Sequence, residues 1–71
     1  MTHNSHYRMS IDRGAYTFLA ICTCGWRDYI PRVSNVEAWR AARDHECSCH
    51  AGGMQAARGF DAARRRLYRE T

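Results

Sequence analysis

Lysine is absent, and all eleven positive charges are arginines. An alanine-rich, lysine-free composition is what GC-rich coding sequence tends to produce, so the arginines can report genome composition before they report chemistry. Also missing are an apolar run long enough to span a bilayer and a charged-then-apolar signal segment at the start. These absences point to a chain with no membrane role, soluble in a reducing cytoplasm. No internal repeat or low-complexity stretch occurs. The length is small: 71 residues predict one domain, 1–71. A chain of that size hides only about 60% of its unfolded surface. An apolar core alone is then marginal, and a disulfide, a metal or a partner commonly supplements it.

The means are present in Cys22, Cys24, Cys47 and Cys49, with His45 and His50 close by. In a reducing compartment such clusters bind metal more often than they form disulfides. Charge is uneven along the chain. Residues 1–50 hold six Arg against five acids, a net of +1, and residues 51–71 hold five against two, a net of +3; together they make the total of +4. The tail is therefore the part suited to a polyanion.

Polar residues 1–6 lack periodicity and are expected to fray, leaving His3 and His6 as a solvated terminus. Tyr7 to Ile11 alternates apolar and polar residues, the mark of a half-buried strand. Asp12-Arg13-Gly14 reads as a turn and Ala15 to Cys22 as a second, more central strand. After Gly25, Trp26 to Ile30 reads as a third strand, ended by Pro31, which cannot donate to a ladder. Ser34-Asn35-Val36-Glu37 forms a capping box that opens a helix from Asn35 to about His45 or a little beyond. Trp39 on that helix is the expected anchor against the sheet. Gly52-Gly53 stops it. A second, arginine-rich helix is predicted over Met54–Arg69, with Ala56, Phe60, Ala63 and Leu67 as its seam. Gly59 should weaken that helix by roughly 1 kcal/mol relative to alanine. The fold class is α+β: a small zinc-stabilised β-meander plus helix over 7–50, like a ββα zinc finger, with a C-terminal basic helix over 54–70.

Zinc takes four tetrahedral thiolate and imidazole ligands, usually delivered as two close pairs. Cys22 and Cys24 form the first pair, because residues two apart in an extended segment point to the same side. A disulfide across one intervening residue would be strained. His45 opens the second pair. Cys49, four residues on, would share its helical face, whereas His50, five on, needs the last turn to loosen. Were the helix to end at His45, a Cys22-Cys24-Cys47-Cys49 site would become available. Glu46, adjacent to the ligands, is expected to be solvated or in the outer sphere of the metal. With no general base in place and little room for a substrate pocket, neither catalysis nor a small-molecule substrate is expected, and the Zn2+ should be structural.

Tyr16 through His50 resembles the small zinc-finger-like proteins of actinobacteria and their phages. Their pattern is a strand, C-x-C-G-W, a short linker, an alanine/tryptophan-rich helix and a histidine pair at its end. The matching positions are Cys22, Cys24, Gly25, Trp26, Trp39, His45 and His50, about half the chain. The resemblance implies a phage or actinobacterial origin and favours His50 as fourth ligand, with Cys49 the alternative. Cys47 and Cys49 depart from the plain pattern, and the arginine tail lies outside it.

Two functions suit such a scaffold. One is nucleic-acid binding through Arg40, Arg43, Arg64, Arg65, Arg66 and Arg69, whose guanidinium forks fit phosphates and guanine edges. The other is protein interaction, by docking on a host protein or forming a homodimer through the seam of the second helix, with Tyr16, Tyr29 and Tyr68 as anchors.

Overall fold

A computed structural model describes residues 6–70, with the side chains of Arg69 and Glu70 outside the description. The fraying expected of residues 1–5, and the place of His3, lie outside the described residues; His6 is exposed. The elements in order are β1 (Met9–Arg13), β2 (Phe18–Cys22), α1 (Asn35–Cys49) and α2 (Gln55–Glu70). This is an α+β fold, a hairpin followed by two helices.

β1 and β2 pair antiparallel, from Met9 opposite Cys22 to Arg13 opposite Phe18. The hairpin sits later than the alternation suggests. Its turn spans Gly14–Thr17, closed by Gly14 N–H donating to Thr17 O at 2.8 Å, so β1 runs on through Asp12 and Arg13 and β2 starts only at Phe18. At the other end, Tyr7 and Arg8 leave the strand because tertiary partners claim them. Gln55 of α2 takes the outer edge there, its Oε1 accepting from Met9 N–H at 2.9 Å and its Nε2 donating to Tyr7 O at 2.8 Å.

The expected third strand is reduced to two isolated bridges, Ile21 with Arg27 and Phe18 with Arg32. Asp28 breaks the run. Its buried carboxylate accepts from Tyr29 N–H at 2.9 Å and grips Arg32 through two bonds of 2.7 and 3.2 Å. That local closure bows residues 29–31 away from β2, and Pro31 has no N–H to restore the ladder.

α1 begins as its cap dictates: the Ser34 hydroxyl accepts from Glu37 N–H at 3.1 Å. It extends one turn past His45, and its buried face is Ala38, Ala42, His45 and Glu46. Ala20 of β2 and Ala56 of α2 pack with Ala42 of that face, Ala63 is buried too, and among the described residues no large side chain is completely buried. Small residues let the elements approach closely but bury little area, so hydrophobic stabilisation is thin.

Trp39 does not sit simply on the sheet. Its ring lies across α2, and a Cβ placed on Gly59 would come within 2.5–2.6 Å of three ring carbons. Gly59 is therefore the crossing point of the helices and not merely a weak spot in one of them. In an isolated helix Gly59→Ala would gain about 1 kcal/mol. Here overpacking should reverse the sign, to a loss of about 1–3 kcal/mol, which the urea midpoint would read directly.

Among the described residues no helix is long and apolar enough to cross a membrane.

Candidate metal centre

β2 delivers Cys22, its last residue, into a tight turn. Gly25 N–H donates to Cys22 O at 3.1 Å, Cys22 N–H to Trp26 O at 2.9 Å, and Gly25 takes φ 107°. That left-handed value favours glycine. The two thiols converge through this turn and not through the pleat of an extended strand: Cys22 is buried at the strand end and Cys24 is exposed on the loop. His45 comes from the buried face of α1. His50 is the cap residue of the same helix, with φ −134° and ψ 58° and its N–H still donating to Glu46 O. Leaving helical geometry at this one residue swings its ring round to join His45. Residues five apart on a regular helix could not meet in that way.

The side chains of Cys22, Cys24, His45 and His50 bring their ligand atoms within 4.8 Å of one another. Cys22 Sγ lies 3.6 Å from His50 Nε2, and Cys24 Sγ lies 3.4 Å from His45 Nε2. In a tetrahedron with metal–sulfur bonds of about 2.3 Å and metal–nitrogen bonds of about 2.0–2.1 Å, adjacent sulfur and nitrogen sit about 3.6 Å apart. The observed separations fit that figure, so the four residues are placed to hold one metal ion in the manner of a ββα finger. Cys49 and Cys47 are exposed and outside the group. Because α1 persists to Cys49, the all-thiol alternative that required it to stop at His45 does not arise.

Both imidazoles are clamped by an aromatic ring. His45 stacks on Trp26 with centroids 4.2 Å apart and planes within 7°, and His50 stacks on Tyr7 at 3.8 Å, also within 7°. The two imidazoles meet edge to face at 5.1 Å. These clamps fix ring orientation, as a metal site requires of its outer neighbours.

Glu46 takes the outer-sphere place and not the solvated one of the two expected for it. It is 2% exposed, its carboxylate accepting from Gln55 N–H at 3.1 Å, from Ala56 N–H at 2.9 Å and from the Tyr7 hydroxyl. One side chain thus caps the N-terminus of α2, where a negative charge is favoured, and holds the ring that stacks on His50. The hydrogen bond to Glu46 pushes the Tyr7 hydroxyl up to about 12. Gly53 leaves the room, since a Cβ there would collide with the Tyr7 hydroxyl and lie 2.8 Å from Glu46 Oε2. A signal existed: Ala38, Ala42 and Glu46 recur every four residues and share the buried face.

Burial, reinforced by His50, pushes the His45 imidazole below its ordinary value of 6.5, and burial pushes the Cys22 thiol up. A folded-state value below the unfolded one means that below about pH 6.5 the unfolded chain binds more protons. The His45 contribution is therefore present above that pH and is lost as pH falls. Proton competition for metal ligands acts in the same direction. The melting midpoint should drop steadily between about pH 7 and pH 5, and a midpoint that rises on acidification would contradict this assignment.

The described arginine side chains have different neighbours. Arg64 and Arg65 sit on different sides of α2, as consecutive helical residues must. Arg64 and Arg43 of α1 lie over the Phe60 ring at 5.6 and 5.2 Å. Arg65 pairs with Asp61 at 3.0 Å, and Arg66 borders a cleft against Arg13 and Asn35. Arg40 is exposed, in a shallow groove with Glu37 and Asp44. The side chain of Arg69 lies outside the described residues.

No protein-family model, curated protein or solved structure matches this chain.

Proposed function

We propose that this chain is a non-catalytic zinc-binding module that binds nucleic acid through its arginines. Zn2+ held by Cys22, Cys24, His45 and His50 would be structural. The observation that carries the metal half is the pair of sulfur–nitrogen separations, 3.6 and 3.4 Å, that suit a tetrahedral ion with two thiolate and two imidazole ligands. Such a set favours zinc over harder cations, which prefer oxygen. Four protein ligands complete the tetrahedron and leave no open position for a water or substrate, which supports a role without catalysis. The cytoplasmic setting, and the phage or actinobacterial origin that the C-x-C-G-W motif implies, belong to the same proposal.

Nucleic-acid binding is supported by the net +4 charge and by arginines presented from both helices. Metal content by mass spectrometry, on protein purified without added zinc, tests the first half. Anisotropy titrations against labelled DNA and RNA test the second: log K should fall linearly with log salt, with a slope of about −3 for some four phosphate contacts. No binding at about 50 mM salt would remove the nucleic-acid role.

Docking on a host protein or homodimerisation is the second reading. It is favoured by the end of the α2 seam, where Leu67 is 50% exposed although Ala56 and Ala63 on the same seam are buried. A monomer by light scattering that retains no partner would count against it.

A further inference from the structure

Beside the crossing of α1 and α2, on the side away from the metal ligands, lies a cleft of about 210 Å3. Its floor includes Ala63 of α2 and Gly59, which the Trp39 ring covers. Trp39 gives an apolar wall, and Arg13, from the end of β1, and Arg66 of α2 complete the lining. Among the described side chains, neither guanidinium is paired with a carboxylate. Asn35 lines the same cleft, and its Oδ1 is buried without a hydrogen-bond partner. That oxygen is enclosed and out of reach of a ligand in the cleft, so it takes no part in recognition. The cleft thus offers two positive groups and an indole wall, in a volume below the ~300 Å3 lower end of drug-sized pockets.

We propose that this cleft takes one unstacked base of single-stranded nucleic acid. The indole of Trp39 lies against the base, and Arg13 and Arg66 engage the flanking phosphates. A base inside a duplex has its edge and faces occupied and cannot enter such a pocket, whereas single strands are bound by pairing apolar or aromatic walls with a basic lining. The exposed side of α1 is a poorer candidate for reading a duplex groove. Arg40 there shares its surface with Glu37 and Asp44, which would repel phosphate. The proposal rests on the nucleic-acid reading above and specifies its site and strandedness.

The test uses the full metal-loaded chain and three labelled DNA probes: a short single strand, the same strand carrying abasic sites, and its duplex. The single strand should bind about tenfold tighter than either of the others, the size expected for seating one base. Arg13→Gln/Arg66→Gln should lower single-strand affinity about tenfold. Arg65→Gln, whose guanidinium is held by Asp61, should change little. Abasic or duplex DNA bound as tightly as the intact single strand overturns the cleft without recourse to any variant. So does undiminished binding by a folded Arg13→Gln/Arg66→Gln protein; in both cases the broader nucleic-acid reading survives. Failure of the wild-type chain to bind any of the probes at low salt removes both.

Discussion

Chelation is expected to abolish the cooperative melting of this chain, and Cys22→Ser or His45→Ala should do the same with no chelator present. The reason lies in what the remaining core can supply. Among the described residues its buried apolar side chains are Met9, Cys22 and five alanines, and no large one is fully enclosed. At about 0.8 kcal/mol per buried methylene, alanine methyls contribute little against the chain entropy of a small domain. A structural zinc contributes apparent folding free energy on the order of 10–16 kcal/mol, which exceeds the whole stability of many domains. The four ligands also join elements that otherwise touch through small residues: the end of β2, the turn after it, the last turns of α1 and its cap. Circular dichroism melts with and without chelator, alongside metal analysis, would read the effect. A metal-free sample that melts cooperatively at an unchanged midpoint would refute it. The choice of fourth ligand is tested in the same experiment, because His50→Ala should behave like Cys22→Ser while Cys49→Ser should melt like the parent.

Glu46→Ala should be the most damaging single change outside the ligands, at about 3–5 kcal/mol. It strands two N–H groups at the start of α2 and the Tyr7 hydroxyl, all of which donate to this one carboxylate. Each buried group left unpaired costs about 1–3 kcal/mol, and the loss of a favourable negative charge at a helix N-terminus adds to that. Glu46→Gln keeps the volume and one acceptor, so it should recover part of the loss. Tyr7→Phe removes a single donor and should cost less than either. Urea titrations give the ranking, and hydrogen exchange gives the mechanism: the amides of Gln55 and Ala56 should lose protection in Glu46→Ala before those of α1. Equal loss of protection across both helices would show that Glu46 acts through general stability and not as the cap of α2.

Much of this fold is legible from local signals because their causes are local. Ser34 and Glu37 announce the start of α1, since a cap needs only neighbouring residues to act. Gly52, with φ 89°, and Gly53 mark the break before α2. The C-x-C-G turn and a histidine at helical distance carry their own chemistry, and proximity of the four candidate ligands follows once the hairpin and α1 pack. What was misread depends on distant partners. The alternation of Trp26 to Ile30 promises a strand, yet the Asp28–Arg32 pair closes the loop on itself and leaves two bridges. Gly59 looks like a defect in a helix until Trp39 is laid over it. Glu46 can be read as solvated or as an outer neighbour of a metal until Tyr7, thirty-nine residues earlier, and the start of α2 converge on it.

The amino-acid sequence by itself determined the class of the fold, the extents of the two helices to within a turn, and the residue types that can hold a metal. Those properties arise from contacts within a few residues, where side-chain chemistry and backbone geometry act together. Tertiary structure placed His50, which the resemblance favours, and not Cys49 beside the other three candidate ligands, made Glu46 the joint between that centre and the basic helix, and opened the cleft beside Trp39. Each of those outcomes depends on where a helix stops and which face it turns to another element, and such choices are settled by packing between segments far apart in the chain.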